Sequence, residues 1–188
     1  MDRLLQYIPA YERDSFVNAV NYYSELLDIQ PDWLVGVMWF ESKLNPTAVN
    51  PVSGATGLIQ FMPATAKALG TTTEALRRMT AYEQMKYVYQ YLKPYTGRMN
   101  SLVDVYFAVF FPAAIGASKD TVLQTSKLSA KTIARQNVIF DANKDDAITV
   151  GEVENYILKV LGQGSKKKNV NWPIAIGIIG LILFTQVI

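Results

Sequence analysis

A single carboxylate, Glu41, stands in the otherwise apolar, proline- and glycine-punctuated run WFESKLNPTAVNPVSGATGLIQFMPATA, Trp39 to Ala66. On an apolar helix face beside Trp39 and Phe40 its carboxyl group is partly desolvated, and desolvation disfavours the charged form and raises the pKa. Such a group holds its proton at neutral pH and can act as a general acid. Cleavage of a glycosidic bond needs that kind of acid, because a proton must reach the leaving oxygen while positive charge builds on the sugar. The same position also suits a glutamate that ends a helix and bonds nearby loop N–H groups. Spacing alone does not decide between the two.

The remaining composition narrows the chemistry. The 188-residue chain has no histidine and no cysteine, which excludes disulfide scaffolds, thiolate nucleophiles, zinc sites built on those residues and any Ser-His-Asp machine. Only carboxylates, hydroxyls, amides and lysines are left. Half the residues are apolar, with 11 Tyr, 8 Phe and 3 Trp, so the chain folds, and its length suits one domain with an appendage. The net charge of +2 is uneven, since 166–168 are all lysine. Without the tail, acidic and basic side chains nearly balance, and a basic face for nucleic acid is not indicated. The opening residues MDRLLQYIPAYERDSF carry charges that interrupt any apolar core and do not read as a cleavable signal.

The elements that must position Glu41 are helices. Nearly every segment has helical spacing and no alternating strand pattern stands out, so the predicted class is all-α. Tyr11 to Asp28 reads as an amphipathic helix. Pro31 restarts the chain at a first-turn position where its missing N–H is harmless, predicting a helix to Ser42. On it Leu34, Val37, Met38 and Glu41 share one face. Residues 43–56 read as an ordered loop, and Gly57 to Leu69 as a helix stopped by Gly70. Capping-box patterns mark helix starts at Thr71 with Glu74 and at Thr80 with Glu83. Ser101 opens the run SLVDVYFAVFF, which Pro112 ends; Ser129 to Phe140 and Val153 to Leu161 are further predicted helices.

The stretch ESKLNPTAVNPVSGATGLIQFMPATA closely resembles the signature of the lytic transglycosylases of the soluble, goose-lysozyme-like superfamily: Glu-Ser, then Pro and Ala, then a Gly-Ala-x-Gly-Leu-x-Gln-x-Met-Pro-x-Thr-Ala run, here beginning with Ser-Gly-Ala-Thr-Gly-Leu. The resemblance implies a lysozyme-like helical domain over 1–162. It makes Glu41 the catalytic acid/base, places Ser42 with the substrate-binding residues, and gives Gly57, Gln60 and Met62 to the floor or wall of a groove for peptidoglycan glycan strands. A later Ala-Tyr-Asn-Ala-Gly element of the family is matched by VYFAVFFPAAIG, which resembles the variant of phage-associated members and lacks the asparagine. Tyr106 is the groove residue it implies, with a core aromatic as the alternative. Tyr156, in VENYILKV, matches a late family tyrosine on the same terms.

Enzymes of this family act as lyases. Glu41 would protonate the oxygen between N-acetylmuramic acid and N-acetylglucosamine and then, as carboxylate, take the proton of the sugar's C6 hydroxyl as a 1,6-anhydro ring closes. A hydrolysing muramidase would want a second acid, roughly 5 to 5.5 Å away for retention or about 6.5 to 9.5 Å for inversion. Asp104 is the one to consider, and the dipole at the start of a helix accounts for it equally well. A non-catalytic wall-binding module is the rival from another class.

Two further segments carry expectations. DANKDDAITVGE, Asp141 to Glu152, fits the EF-hand loop, with Asp141, Asn143 and Asp145 at positions 1, 3 and 5, the Ala147 carbonyl at 7, Thr149 at 9 and Glu152 at 12. It predicts a structural Ca2+, held weakly because position 6 is Asp146 where glycine is expected. The linker 163–171 is polar and basic, and 172–188 is uncharged, long enough for about 25 Å of helix at ~1.5 Å per residue. That predicts a C-terminal membrane anchor, and by the positive-inside tendency Lys166 to Lys168 put the domain on the cytoplasmic face. The expected location is therefore the internal membrane of a bacterial virus that penetrates the wall, with virion or membrane proteins as further partners, or alternatively the bacterial inner membrane.

Overall fold

The computed structural model describes residues 2–162. Nine α-helices order the described residues: α1 (Asp2–Leu5), α2 (Ala10–Leu27), α3 (Pro31–Ser42), α4 (Pro63–Ala68), α5 (Thr73–Arg77), α6 (Ala81–Leu92), α7 (Leu102–Phe110), α8 (Ala130–Gln136) and α9 (Val150–Leu161). Short 3-10 turns and loops join them, and β structure among the described residues is confined to isolated bridges, in keeping with the all-α expectation.

The arrangement turns on α3. Its Leu34, Val35, Val37, Met38 and Phe40 are all buried, so it is apolar all round and runs through the core, packed against α1, α2, α7 and α9. Gly36 permits one of these contacts, since a Cβ there would stand 3.1 Å from Leu161 Cδ1 of α9. α2 and α6 form the flanking pair. The N-terminus of α6 is tied to α2 by Glu12, whose buried carboxylate accepts the Tyr82 N–H at 2.8 Å. The capping box at Thr80 and Glu83 forms as expected.

Some boundaries differ from the sequence reading. Gly57 to Leu69 is not one helix: residues 56–61 close a tight turn, with Thr56 and Phe61 exchanging N–H···O=C bonds of 2.8 and 2.9 Å, and α4 starts only at Pro63. Gly57 (φ 83°) and Gln60 (φ 53°) are left-handed there, which no helix accommodates. The start of α5 is capped by Thr72 rather than Thr71. α8 stops at Gln136 because the Asn137 side chain donates to the Ile133 carbonyl at 2.9 Å, substituting for the next helical turn. α9 begins early, at Val150, capped by Thr149 and Glu152.

The predicted transmembrane helix is corrected. No helix among the described residues is long and apolar enough to cross a membrane. The longest, α2, has 18 residues and carries Glu12, Arg13, Asp14 and Glu25 along its length, charges that a hydrocarbon layer would not accept. The 172–188 stretch on which the expectation rested lies outside the described residues. The described residues therefore form a helical lysozyme-like domain, with no membrane-spanning helix among them. The membrane location, and the virion carrier argued from its topology, do not stand.

Candidate active site

Glu41 lies in the last turn of α3, and the chain leaves that helix by two successive left-handed residues, Lys43 (φ 57°) and Leu44 (φ 60°). The Lys43 N–H caps the helix on the Trp39 carbonyl at 2.8 Å. Fully buried Leu44 plugs the turn into the core. Ser42, also buried, donates its hydroxyl to the Met38 and Leu58 carbonyls, both at 3.0 Å. The serine after the glutamate thus ties the end of α3 to the glycine turn, and its hydroxyl is directed at backbone.

That turn is held from below by a residue the sequence did not flag. Gln84 of α6 is fully buried; its Oε1 accepts the Leu58 N–H at 2.9 Å, and its Nε2 donates to the carbonyls of Pro46 at 2.7 Å and Leu76 at 2.8 Å. It satisfies three backbone groups of segments that have no regular ladder of their own. Gly57 leaves the space for it. Gln60 donates to the Gly57 carbonyl at 3.0 Å and bridges toward Ala48, while half-buried Met62 precedes α4 without a side-chain cap bond. The residues from 57 to 62 are thus tied to the end of α3 through the Ser42 bond to the Leu58 carbonyl.

As a residue Glu41 is half-buried, yet its Oε1 is sealed from solvent and has no hydrogen-bond partner. Burial pushes the carboxyl up to about 8, against the opposing pull of the nearby Lys43 cation. Two tyrosines feel its charge. Tyr106 of α7 is completely buried, its hydroxyl without a partner, and burial with the Glu41 charge behind it holds its pKa well above the ordinary value. Tyr91 of α6 is raised by burial, then by Tyr95 and Glu41, and its hydroxyl reaches the Val109 carbonyl at 3.5 Å. Tyr106 is thus a core aromatic whose polar end lies near the acid. Phe40 packs edge-on against it at 5.1 Å and against Tyr156 at 6.1 Å. Tyr156 is half-buried and belongs to the same aromatic cluster through Phe140, at 5.3 Å.

Asp104 has other work. Its Oδ1 accepts the Gly116 N–H at 2.8 Å, and its Oδ2 accepts the Ser101 hydroxyl at 2.8 Å and the Asn100 N–H at 3.1 Å. It closes the start of α7 onto the turn after it.

The 141–152 loop follows Phe140 directly. In it Asp146 is left-handed (φ 63°), the Asp145 N–H donates to Asp141 Oδ1 at 3.2 Å and Asn143 Oδ1 at 3.0 Å, and the carbonyl of buried Ile148 accepts the Leu123 N–H at 2.8 Å. The donors are not gathered. Glu152 accepts from the Thr149 and Ala142 N–H groups. Asp146 pairs outward with Lys131 and Arg135, and its hydrogen bond from Lys131 lowers its pKa. Among the described residues no group of three or more His, Cys, Asp or Glu is placed to hold a metal ion.

A family model, the transglycosylase SLT domain, matches residues 18–121. That span contains α3 with Glu41, the glycine turn, α6 and α7, and leaves out Tyr156 and the 141–152 loop. No curated protein and no solved structure matches the chain. With more than half of its 188 residues inside the family model, the chain belongs to the transglycosylase SLT domain family, lytic transglycosylases that act on peptidoglycan.

Proposed function

We propose that Glu41 is the single acid/base of a reaction that cleaves the β-1,4 bond between N-acetylmuramic acid and N-acetylglucosamine and leaves a 1,6-anhydromuramic end. The observation that carries the reading is the state of its carboxyl group: Oε1 is sealed from solvent and without a hydrogen-bond partner, and burial pushes the group up to about 8. At neutral pH it holds the proton that the leaving oxygen needs. Once that proton is given, the carboxylate faces the Lys43 cation, which favours the charged form long enough for it to take the C6 hydroxyl proton as the ring closes. The other carboxylate that a hydrolytic mechanism would call on, Asp104, has both oxygens occupied by hydrogen bonds to Gly116, Ser101 and Asn100. Mass spectrometry of fragments released from purified cell walls is the test. Anhydromuramic termini are expected, and predominantly reducing muramic ends would overturn the one-carboxylate reaction in favour of a muramidase.

We also propose that the 141–152 loop takes Ca2+ with Asp141, Asn143, Asp145, the Ala147 carbonyl, Thr149 and Glu152, supported by donor order and by the left-handed backbone at Asp146. With Glu152 engaged in the capping box, affinity is expected at the weak end, ~10⁻⁴ to 10⁻³ M. Ten millimolar calcium should then stabilise the domain by about 1–3 kcal/mol through linkage. A thermal melt with and without calcium reads the shift. Asp145→Asn, which keeps the acceptor for the Ala147 N–H and removes a charge, should abolish most of it. An identical melting temperature in calcium and in chelator would leave the loop as a turn.

A further inference from the structure

Beside the acid stands a cation that forms no ion pair among the described residues. Lys43 is half-buried at the left-handed end of α3, and its Nζ rests 3.6 Å from the centroid of the Trp39 ring. No carboxylate lies within ion-pair distance of it among the described residues; the ion pairs found there involve Arg78, Lys119, Lys131 and Arg135. The cap bond from its N–H to the Trp39 carbonyl and the ring beneath its ammonium fix the side chain at both ends. A partly desolvated ammonium on an indole face is held by the ring quadrupole, so little rotamer freedom remains to be lost when an anion arrives. In the resting state Glu41 keeps its proton to about pH 8 with the lysine present, so before the reaction the ammonium faces no charge on it. Burial also pulls the lysine's own pKa down, a penalty that an anion in contact would relieve.

We propose that Lys43, braced on Trp39, is a subsite for a carboxylate carried on the lactyl arm of the muramic sugar. The inference rests on the proposed reaction for its placing: if Glu41 protonates the oxygen on C1 of that sugar, the lactyl ether on C3 of the same ring lies one ring's width away. The carboxylate has two sources. In a stripped glycan it is the free lactyl acid, and in intact peptidoglycan it belongs to the peptide joined to that arm. Either gives the ammonium a charge-assisted hydrogen bond. A glucosamine homopolymer has no such arm and gains nothing from Lys43.

The test is binding to the full chain carrying Glu41→Gln, in which the amide stands in for the protonated acid and no turnover intervenes. Calorimetry compares three oligosaccharides of equal length: peptide-bearing muramyl glycan, the same glycan stripped to its lactyl carboxylate, and a chitooligosaccharide. Adding Lys43→Met should weaken one or both carboxylated ligands about tenfold, leave the chitooligosaccharide within twofold, and be largely rescued by Lys43→Arg. Loss confined to the stripped glycan assigns the lactyl acid, and loss confined to the peptide-bearing one assigns the stem. Equal loss on all three ligands, or no loss on either carboxylated one, overturns the subsite. If Lys43→Met does not fold, Lys43→Gln takes its place with the same outcomes. Absence of any binding by the Glu41→Gln chain overturns the subsite together with the groove. Reducing ends from the wild-type enzyme would overturn only the reading of the reaction, since binding is indifferent to it.

Discussion

Glu41→Gln lowers turnover on purified cell walls by roughly 10²- to 10⁴-fold, the usual contribution of a positioned general acid. A mechanism with one carboxylate has no second group to take over. The amide keeps the shape of the side chain, and Oε1 has no hydrogen bond to lose, so the fold is retained. Stability moves the other way. Folding raises the carboxyl from the ordinary 4.5 to about 8, so as the pH climbs the unfolded chain gives up its proton first, and native stability falls between those two values. Glutamine removes that penalty. The variant should melt close to wild type at pH 4 and above it at pH 8, by up to about 4 kcal/mol. The wild-type kcat/KM should fall as pH rises through about 8, where the acid loses its proton. Activity within threefold of wild type for Glu41→Gln in a turbidity assay would remove Glu41 from the chemistry, and a melting difference independent of pH would contradict its burial.

Gly57→Ala should cost on the order of 3 kcal/mol or more. Two effects combine there. The backbone is left-handed at φ 83°, and an added Cβ would stand 2.4 Å from Gln84 Oε1. Moving that amide frees the Leu58 N–H and the Pro46 and Leu76 carbonyls that Gln84 satisfies, and unpaired buried polar groups are expensive. Gly70→Ala is the control, since its φ is 74° with nothing within 4 Å of the added methyl; left-handed strain alone should cost about 1 kcal/mol. Denaturant midpoints measure both. Equal losses in the two variants would show that Gln84 does not brace the glycine turn.

Much of the architecture follows from local signals. Pro31 at a helix start, the Thr80 and Glu83 box and Ser101 before an apolar run are all found where spacing puts them, because capping depends on groups three residues apart. The apolar positions around Glu41 likewise mark α3 as a core helix, and the motif from Glu41 to Ala66 lies within the family match. Where local signals compete, the sequence reading fails. Gly57 to Leu69 is helical in composition, but Gln84, remote in the chain, supplies bonds that make a left-handed turn the better solution. An amide in the middle of an amphipathic helix carries no mark of that role.

The chemistry divides in the same way. Sequence alone determined that Glu41 is the acid to consider, since the chain has no histidine or cysteine and the motif surrounds this carboxylate. Three things came only from the tertiary structure: the sealing of its Oε1, the engagement of Asp104 with the turn at Gly116, and the seat of Lys43 on Trp39. Desolvation and hydrogen-bond satisfaction are sums over groups brought together from distant parts of the chain. Sequence spacing reports which face of a helix a residue occupies, and only the packed helices decide what that face meets.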